Sequence, residues 1–355
     1  MLADFIRESL EDLRTQHLVR TPPVIERIRG PYVTIDGREL LCFCSNDYLG
    51  IAQDLPDCTT PVRDFGWGAA SSRALSGTST AHELLEKNIA AFKRAPAALF
   101  FSSGYMANLG LITTIADRET LIVADELNHA SLIDSCRLSR ARVEIYPHRN
   151  VQAAKRLLEI DAKRKFILTD TVFSMDGDLA PLDELQRLGV DVVVDDVHGL
   201  GVFGERGRGC TQVPIQTGNL SKAAGGIGGF VVGSRELIEL LRSRARTFLF
   251  TTAPPPAVCN AGSSGLLKIQ EAEEQRQKLW KNLNILGAVS PIRSVIVGSN
   301  EAALRASERL RELGFFVPAI RPPTVAPGTA RLRITVTAMH EPSHVEALLD
   351  ALKKI

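Results

Sequence analysis

Apolar Leu2, Phe5, Ile6, Leu10 and Leu13 are interleaved with Asp4, Arg7, Glu8, Glu11, Asp12 and Arg14, which predicts an amphipathic helix from Met1 to Gln16 and argues against a signal peptide. Thr21-Pro22-Pro23 ends that pattern, and Tyr32 to Leu41 reads as a hairpin turning at Asp36-Gly37. A helix is expected from Thr80 to Arg94, with Leu84, Leu85, Ile89 and Phe92 on one side. Apolar runs then centre on Leu99, Leu121, Val143, Ile167 and Val193, separated by helical stretches such as Met106 to Ala116 and Val151 to Ile160. This alternation predicts an α/β fold with a mostly parallel central sheet flanked by helices.

Beyond Phe230-Val231-Val232-Gly233 the texture changes. Pro254-Pro255-Pro256 precedes a charged pattern read as one long connecting helix, Lys268 to Asn284. A strand over Ile292 to Val297, a helix over Glu301 to Leu313, a strand over Arg331 to Val336 and a helix over Ser343 to Lys353 follow, forming a smaller α+β domain. The expected organisation is an N-terminal helix and hairpin segment over 1–45, a large domain over 46–260 and a small C-terminal domain over 261–355.

Composition narrows the function classes. At 355 residues and 45% hydrophobic the chain can bury a large core, and 42 basic against 41 acidic residues give no reason to expect a nucleic acid or membrane partner. The cluster Arg242, Arg244 and Arg246 reads as a solvated helix face. Six cysteines, Cys42, Cys44, Cys58, Cys136, Cys210 and Cys259, show no CxxC pair, so reduced thiols and a soluble, cytoplasmic protein are expected.

The chemistry concentrates between Asp191 and Gly229. A β-branched run ends at Asp195, His198 follows three residues on, and Lys222 lies between Ser221 and Ala223-Ala224-Gly225-Gly226. An acid that keeps a pyridine nitrogen protonated, a histidine beside it and a Schiff-base lysine are the parts needed to hold pyridoxal phosphate (PLP). Ser102-Ser103-Gly104-Tyr105 offers a phosphate cradle at a helix start, and His129 could stack on a flat ring. Three matching motifs are set aside. Gly199-x-Gly201-x-x-Gly204 is followed by Arg206-Gly207-Arg208-Gly209 in place of a helix, Pro342 interrupts the zinc-binding pattern His340-Glu341-x-x-His344, and the Asn219 sequon has no bearing in the cytosol.

Thr169 to Asp178, Val194 to Gly201 and Gly218 to Ala223 together resemble the α-oxoamine synthase family of fold-type I PLP enzymes, and Ser45 to Gly50, Ser103 to Asn108 and Asn128 to Leu132 extend the resemblance over nearly the whole chain. Ala319 to Arg333 looks most like the members that join L-alanine to a pimeloyl thioester with loss of carbon dioxide. The resemblance implies Lys222, His129, Asp195 and His198 as catalytic residues, and Gly104, Tyr105, Ser174, Asn219, Thr251 and Thr252 as further cofactor contacts. It implies Arg20, Asn46, Arg321 and Thr324 as substrate contacts, with Arg321 on the alanine carboxylate. It also implies a homodimer in which Thr251 and Thr252 reach the partner's phosphate site. Asn219 and Ser221 replace the family's threonine and glycine, and Asp170 stands where glutamate is common. The alternatives are a family member using another amino acid and acyl thioester, a non-catalytic partner subunit, or an aminotransferase on the same fold.

Overall fold

The computed structural model describes residues 1–54 and 59–355, so Cys58 lies outside the described residues. The chain forms two compact units, one of residues 49–174 and 178–276, the other of residues 1–48, 175–177 and 277–355.

The first unit is built on a seven-stranded sheet. Its strands are β1 (Ala97–Phe101), β2 (Thr120–Asp125), β3 (Arg142–Tyr146), β4 (Arg164–Asp170), β5 (Asp191–Asp195), β6 (Ile215–Asn219) and β7 (Gly229–Gly233). They lie in the order β1-β7-β6-β5-β4-β2-β3, and β7 runs antiparallel to both neighbours while the remaining pairs are parallel. Period-two alternation divides the core: Ile122 and Ala124 pack in one apolar cluster with Leu168 and Val193, while Leu121 and Val123 pack in another with Ile167, Val192 and Val194. Both faces are therefore covered along β1, β2, β4 and β5, which is why these strands read as apolar runs, while the edge strand β3 leaves Arg142 and Ile145 exposed. Helices α1 (Thr80–Lys93), α2 (Gly104–Ile115) and α3 (Ala130–Ser139) belong to this unit.

The glycine-spaced turn after β5 is organised around a buried ion pair. Lys93 Nζ lies 2.7 Å from Asp196 Oδ2 and also donates to the Arg208 and Cys210 carbonyls, while Thr171 Oγ1 and the Cys210 N–H donate to Asp196. A Cβ at Gly199 or Gly209 would come within 2.1 Å of an Asp196 carboxylate oxygen. Gly199 and Gly209 thus make room for a carboxylate, while Gly201 packs on Ala223 and Gly204 on the Gly209 carbonyl, so the dinucleotide-like spacing is a packing feature of this turn.

One expectation is corrected here. The pattern over Lys268 to Asn284 is two helices, Pro256–Glu271 and Glu273–Leu286, because Arg276 donates to the Ile269 carbonyl and ends the first at Ala272. Arg242, Arg244 and Arg246 are exposed as expected; Arg242 also pairs at 2.8 Å with buried Glu86, and Arg246 stacks over the Phe250 ring at 4.8 Å.

At the ends of β2 and β3, His148 bridges Asp125 at 2.9 Å and Asp178 at 2.8 Å. Burial pulls its pKa down, yet the hydrogen bonds and charges of the two carboxylates outweigh burial and the net shift is upward. The stability it supplies is therefore complete below the unfolded value of about 6.5 and is lost as pH rises through the higher folded value. Urea unfolding from pH 6 to 8 is expected to show a decline of about 1 kcal/mol or less, absent in His148→Gln.

In the second unit, Tyr32–Ile35 and Arg38–Cys42 form the expected hairpin, with Asp36 and Gly37 both at positive φ (50° and 69°) as a type I′ turn requires. Arg27–Arg29 and Phe315–Phe316 extend that sheet, while Ile292–Gly298, Ala330–Thr335 and Ala319–Ile320 form a three-stranded one. The helices Leu2–Thr15, Asn300–Glu312 and Pro342–Leu352 belong here too, and the apolar residues of the first remain exposed. His340 and His344 accept the backbone N–H groups of Thr337 and Glu341, so each caps a local turn, and Pro342 opens the last helix. No helix among the described residues is long and apolar enough to cross a membrane. The described cysteines are all free thiols.

Candidate active site

The strand ends of the first unit gather most of the predicted residues. Asp195 closes β5 in register with Asp170 of β4, and it is buried. Its Oδ1 accepts the Val197 N–H at 3.0 Å and its Oδ2 accepts Asn108 Nδ2 at 2.7 Å. His198 follows on the turn, and its Nε2 lies 2.9 Å from Lys222 Nζ. Lys222 is carried on the tight connection between β6 and β7, where the Leu220 and Gly226 N–H groups bond to the Gly228 and Leu220 carbonyls.

His129 is the N-cap of α3. Its Nδ1 receives the Ser131 N–H at 3.2 Å and lies 2.7 Å from Ser131 Oγ, and its own N–H donates to Asp170 Oδ2 at 2.8 Å. Burial lowers the His129 pKa, the Asp195 charge works against burial, and Lys222 reinforces it, so the ring lies within the electrostatic reach of both groups. Asp170 is pushed well above the usual carboxylate range by burial and then by Asp195.

Gly104 opens α2, with Ser103 as N-cap accepting the Met106 N–H. Helix geometry leaves the first N–H groups, those of Gly104 and Tyr105, for an outside acceptor. A Cβ at Gly104 would lie 3.3 Å from the Asn219 Cβ and Nδ2, so glycine brings the amide of Asn219 against the helix start. Asn219 Oδ1 accepts the Ser221 N–H at 3.1 Å, which turns Nδ2 away as a donor. The Tyr105 hydroxyl donates to Asp134. Ser174 follows β4. Thr251 and Thr252 follow the short helix Arg246–Leu249, where Thr252 bridges to Ser72 and is exposed.

The predicted substrate residues belong to the second unit. Arg321 is buried and donates to the His17 carbonyl, while its Nε has no acceptor among the described residues. Arg20 donates to the Pro322 carbonyl at 3.1 Å, and the Arg321 pKa is lowered first by burial and then by the Arg20 charge. Two neighbouring guanidiniums with a buried, unmatched N–H form a site short of an anion. Asn46 Oδ1 accepts from Tyr48 and Arg333, each at 3.3 Å, which leaves its amide nitrogen as the free end. Thr324 is exposed, and its N–H closes a turn on the Arg321 carbonyl.

Asn108, Ser131 and Thr217 carry no chemistry that residue type alone would single out. The signal available was an asparagine inside an otherwise apolar helix, where it is intrinsically unfavourable.

The first unit fits pyridoxal phosphate by its donor set. An amine beside an imidazole, a strand-end carboxylate and a glycine-opened helix start with an amide donor match a carbonyl, a basic ring nitrogen and a phosphate.

The family described as aminotransferase class I and II matches residues 38–352. The 8-amino-7-oxononanoate synthase of Marinobacter nauticus is 42% identical over 380 residues, covering 99% of this chain and 96% of that protein. The one from Methylococcus capsulatus is 43% identical over 373 residues, with coverage of 97% and 96%. Among solved structures, a serine palmitoyltransferase from S. paucimobilis carrying PLP and myriocin superposes with a TM-score of 0.91 at 29% identity, covering 99% of this chain and 96% of that one. An 8-amino-7-oxononanoate synthase from Francisella tularensis gives 0.78 at 28% identity, covering 89% and 97%.

Proposed function

We propose that this chain, which belongs to the aminotransferase class I and II family, is a PLP-dependent acyltransferase that condenses L-alanine with a pimeloyl thioester. The products are 8-amino-7-oxononanoate, carbon dioxide and the free thiol carrier, so the natural place of the reaction is biotin biosynthesis. The observation that carries the reading is the amine of Lys222 held 2.9 Å from His198 on the turn that follows Asp195. The division into segments 1–45, 46–260 and 261–355, a cytoplasmic location and a homodimer belong to the same proposal.

Bound PLP supplies an electron sink that stabilises negative charge at the substrate Cα. Lys222 would hold the cofactor, and its Nζ would take the alanine Cα proton. Asp195 would hold the ring nitrogen and favour its protonated form, and His198 would hydrogen-bond the ring oxygen. His129 would stack on the ring, while Gly104, Tyr105, Ser174 and Asn219, with Thr251 and Thr252 of a second copy, would hold the phosphate. Arg321 binds the alanine carboxylate, which gives its buried Nε the acceptor missing among the described residues. Arg20, Asn46 and Thr324 contact the substrates.

Arg321→Ala is expected to raise the KM for alanine about 10- to 100-fold, the size of one or two hydrogen bonds to a charged group. Steady-state kinetics against alanine at saturating pimeloyl-CoA checks this.

One observation favours a second reading, a serine-using acyltransferase: the backbone matches the serine palmitoyltransferase at a TM-score of 0.91 against 0.78 for the synthase. Sequence separates the two more sharply than backbone does, at 43% identity against 29%. Thiol release from pimeloyl-CoA or palmitoyl-CoA, with L-alanine or L-serine, decides between them. Release with alanine and pimeloyl-CoA supports the proposal, and release only with serine and palmitoyl-CoA overturns it. An absence of release with any pair, beside an absorbance spectrum unchanged by PLP, would favour a partner subunit.

A further inference from the structure

We infer that Asn108 is a positioning residue that fixes, through one hydrogen-bond relay, both the Asp195 carboxylate and the proton on His129. This deepens the proposed function and rests on it for its consequence, although the relay itself is built from the chain alone. Asn108 is the fifth residue of α2, fully buried, in a helix interior that disfavours asparagine. Its side chain has three partners. Asp195 Oδ2 takes a hydrogen from Nδ2 at 2.7 Å, and reversing the amide would set oxygen against oxygen. The carbonyl end then faces Thr217 Oγ1, which donates to Asn108 Oδ1 at 2.5 Å. The second Nδ2 hydrogen goes to Ser131 Oγ at 2.8 Å.

Having accepted from Asn108, the Ser131 hydroxyl directs its own hydrogen to His129 Nδ1, 2.7 Å away. The Ser131 backbone N–H also points at that nitrogen at 3.2 Å and can only donate. Nδ1 therefore carries a lone pair, and the neutral ring holds its proton on Nε2. Protonating Nδ1 would turn an N–H against the Ser131 N–H, so any proton that His129 exchanges with a bound substrate passes through Nε2. The same relay holds Asp195 Oδ2 from the helix side while the Val197 N–H holds Oδ1, which fixes the carboxylate plane toward a ring nitrogen.

The test has two readouts. Nitrogen-15 NMR of histidine-labelled protein without cofactor is expected to show His129 protonated on Nε2 alone, with a hydrogen-bonded Nδ1. Titration with PLP then measures affinity. Asn108→Ala is expected to move the Nδ1 signal toward that of a free lone pair and to weaken PLP binding about 10-fold. Thr217→Val, nearly isosteric, shifts both readouts in the same direction by a smaller factor and carries the test if Asn108→Ala does not fold, while Thr217→Ser restores both. A wild-type His129 protonated on Nδ1, or variants with unchanged Nδ1 signal and unchanged PLP affinity, overturns the inference. A wild-type protein that binds no PLP overturns the functional reading instead, and the NMR result still decides the relay.

Discussion

Lys222→Ala is expected to fold, to lose the covalent attachment of PLP that borohydride reduction makes permanent, and to turn over at least about 10⁴-fold more slowly. The size of the effect follows from two tasks assigned to one amine, holding the cofactor and moving the Cα proton, so removing it takes both away. Folding should survive because the loop does not depend on the side chain. The Gly225 N–H closes on the Lys222 carbonyl at 2.9 Å, and Leu220 and Gly226 bond through their backbones. Gly225, at φ +66, packs where a Cβ would lie 2.6 Å from the Ala52 nitrogen, so the turn is set by backbone fit. Peptide mass mapping after borohydride reduction locates the attachment. Cofactor fixed to a different lysine in the wild type, or a variant with near-normal turnover, would refute the assignment.

The sequence made legible those elements whose stabilising partners are close in the chain or whose burial is uniform. β1, β2, β4 and β5 are covered on both faces and read as apolar runs, and the hairpin at Asp36-Gly37 carries its turn chemistry in two residues. β6 did not stand out, because Gln216, Thr217, Gly218 and Asn219 are polar or small yet buried. Thr217 is there to bond Asn108, and Gly218 is there because a Cβ would strike the Phe230 ring at 2.4 Å. Those reasons lie in other strands and helices. The break at Ala272 depends likewise on Arg276 reaching back to a carbonyl, and the strand Phe315–Phe316 is too short to show a period. The candidate site divides the same way. Asp195, His198 and Lys222 announce themselves by residue type at a strand end and a tight loop. Asn108 and Ser131 act only through distant partners, and the unmatched Nε of Arg321 becomes visible only once burial is known.

Lys93→Met tests the buried pair that shapes the turn between Asp195 and His198. Removing one partner of a buried ion pair leaves an uncompensated charge and costs about 3–5 kcal/mol, which should lower Tm on the order of 10 °C. Asp196 is already raised above its ordinary pKa by burial, with the Lys93 charge the largest influence against that rise. Without Lys93 the carboxyl rises further. A group whose folded pKa exceeds the unfolded value of about 3.9 binds more protons in the folded state, so stability falls as pH increases through that window. The deficit of Lys93→Met should therefore be smaller at pH 5 than at pH 8. Adding Asp196→Asn removes the charge while its carbonyl oxygen still accepts the Cys210 N–H and its NH2 donates to the Thr171 hydroxyl, so the double variant should recover most of the loss and respond little to pH. Denaturant unfolding of the two single variants, the double variant and the wild type at both pH values completes the cycle. A double variant no more stable than Lys93→Met would show that Lys93 acts through its bonds to the Arg208 and Cys210 carbonyls, with Asp196 a bystander.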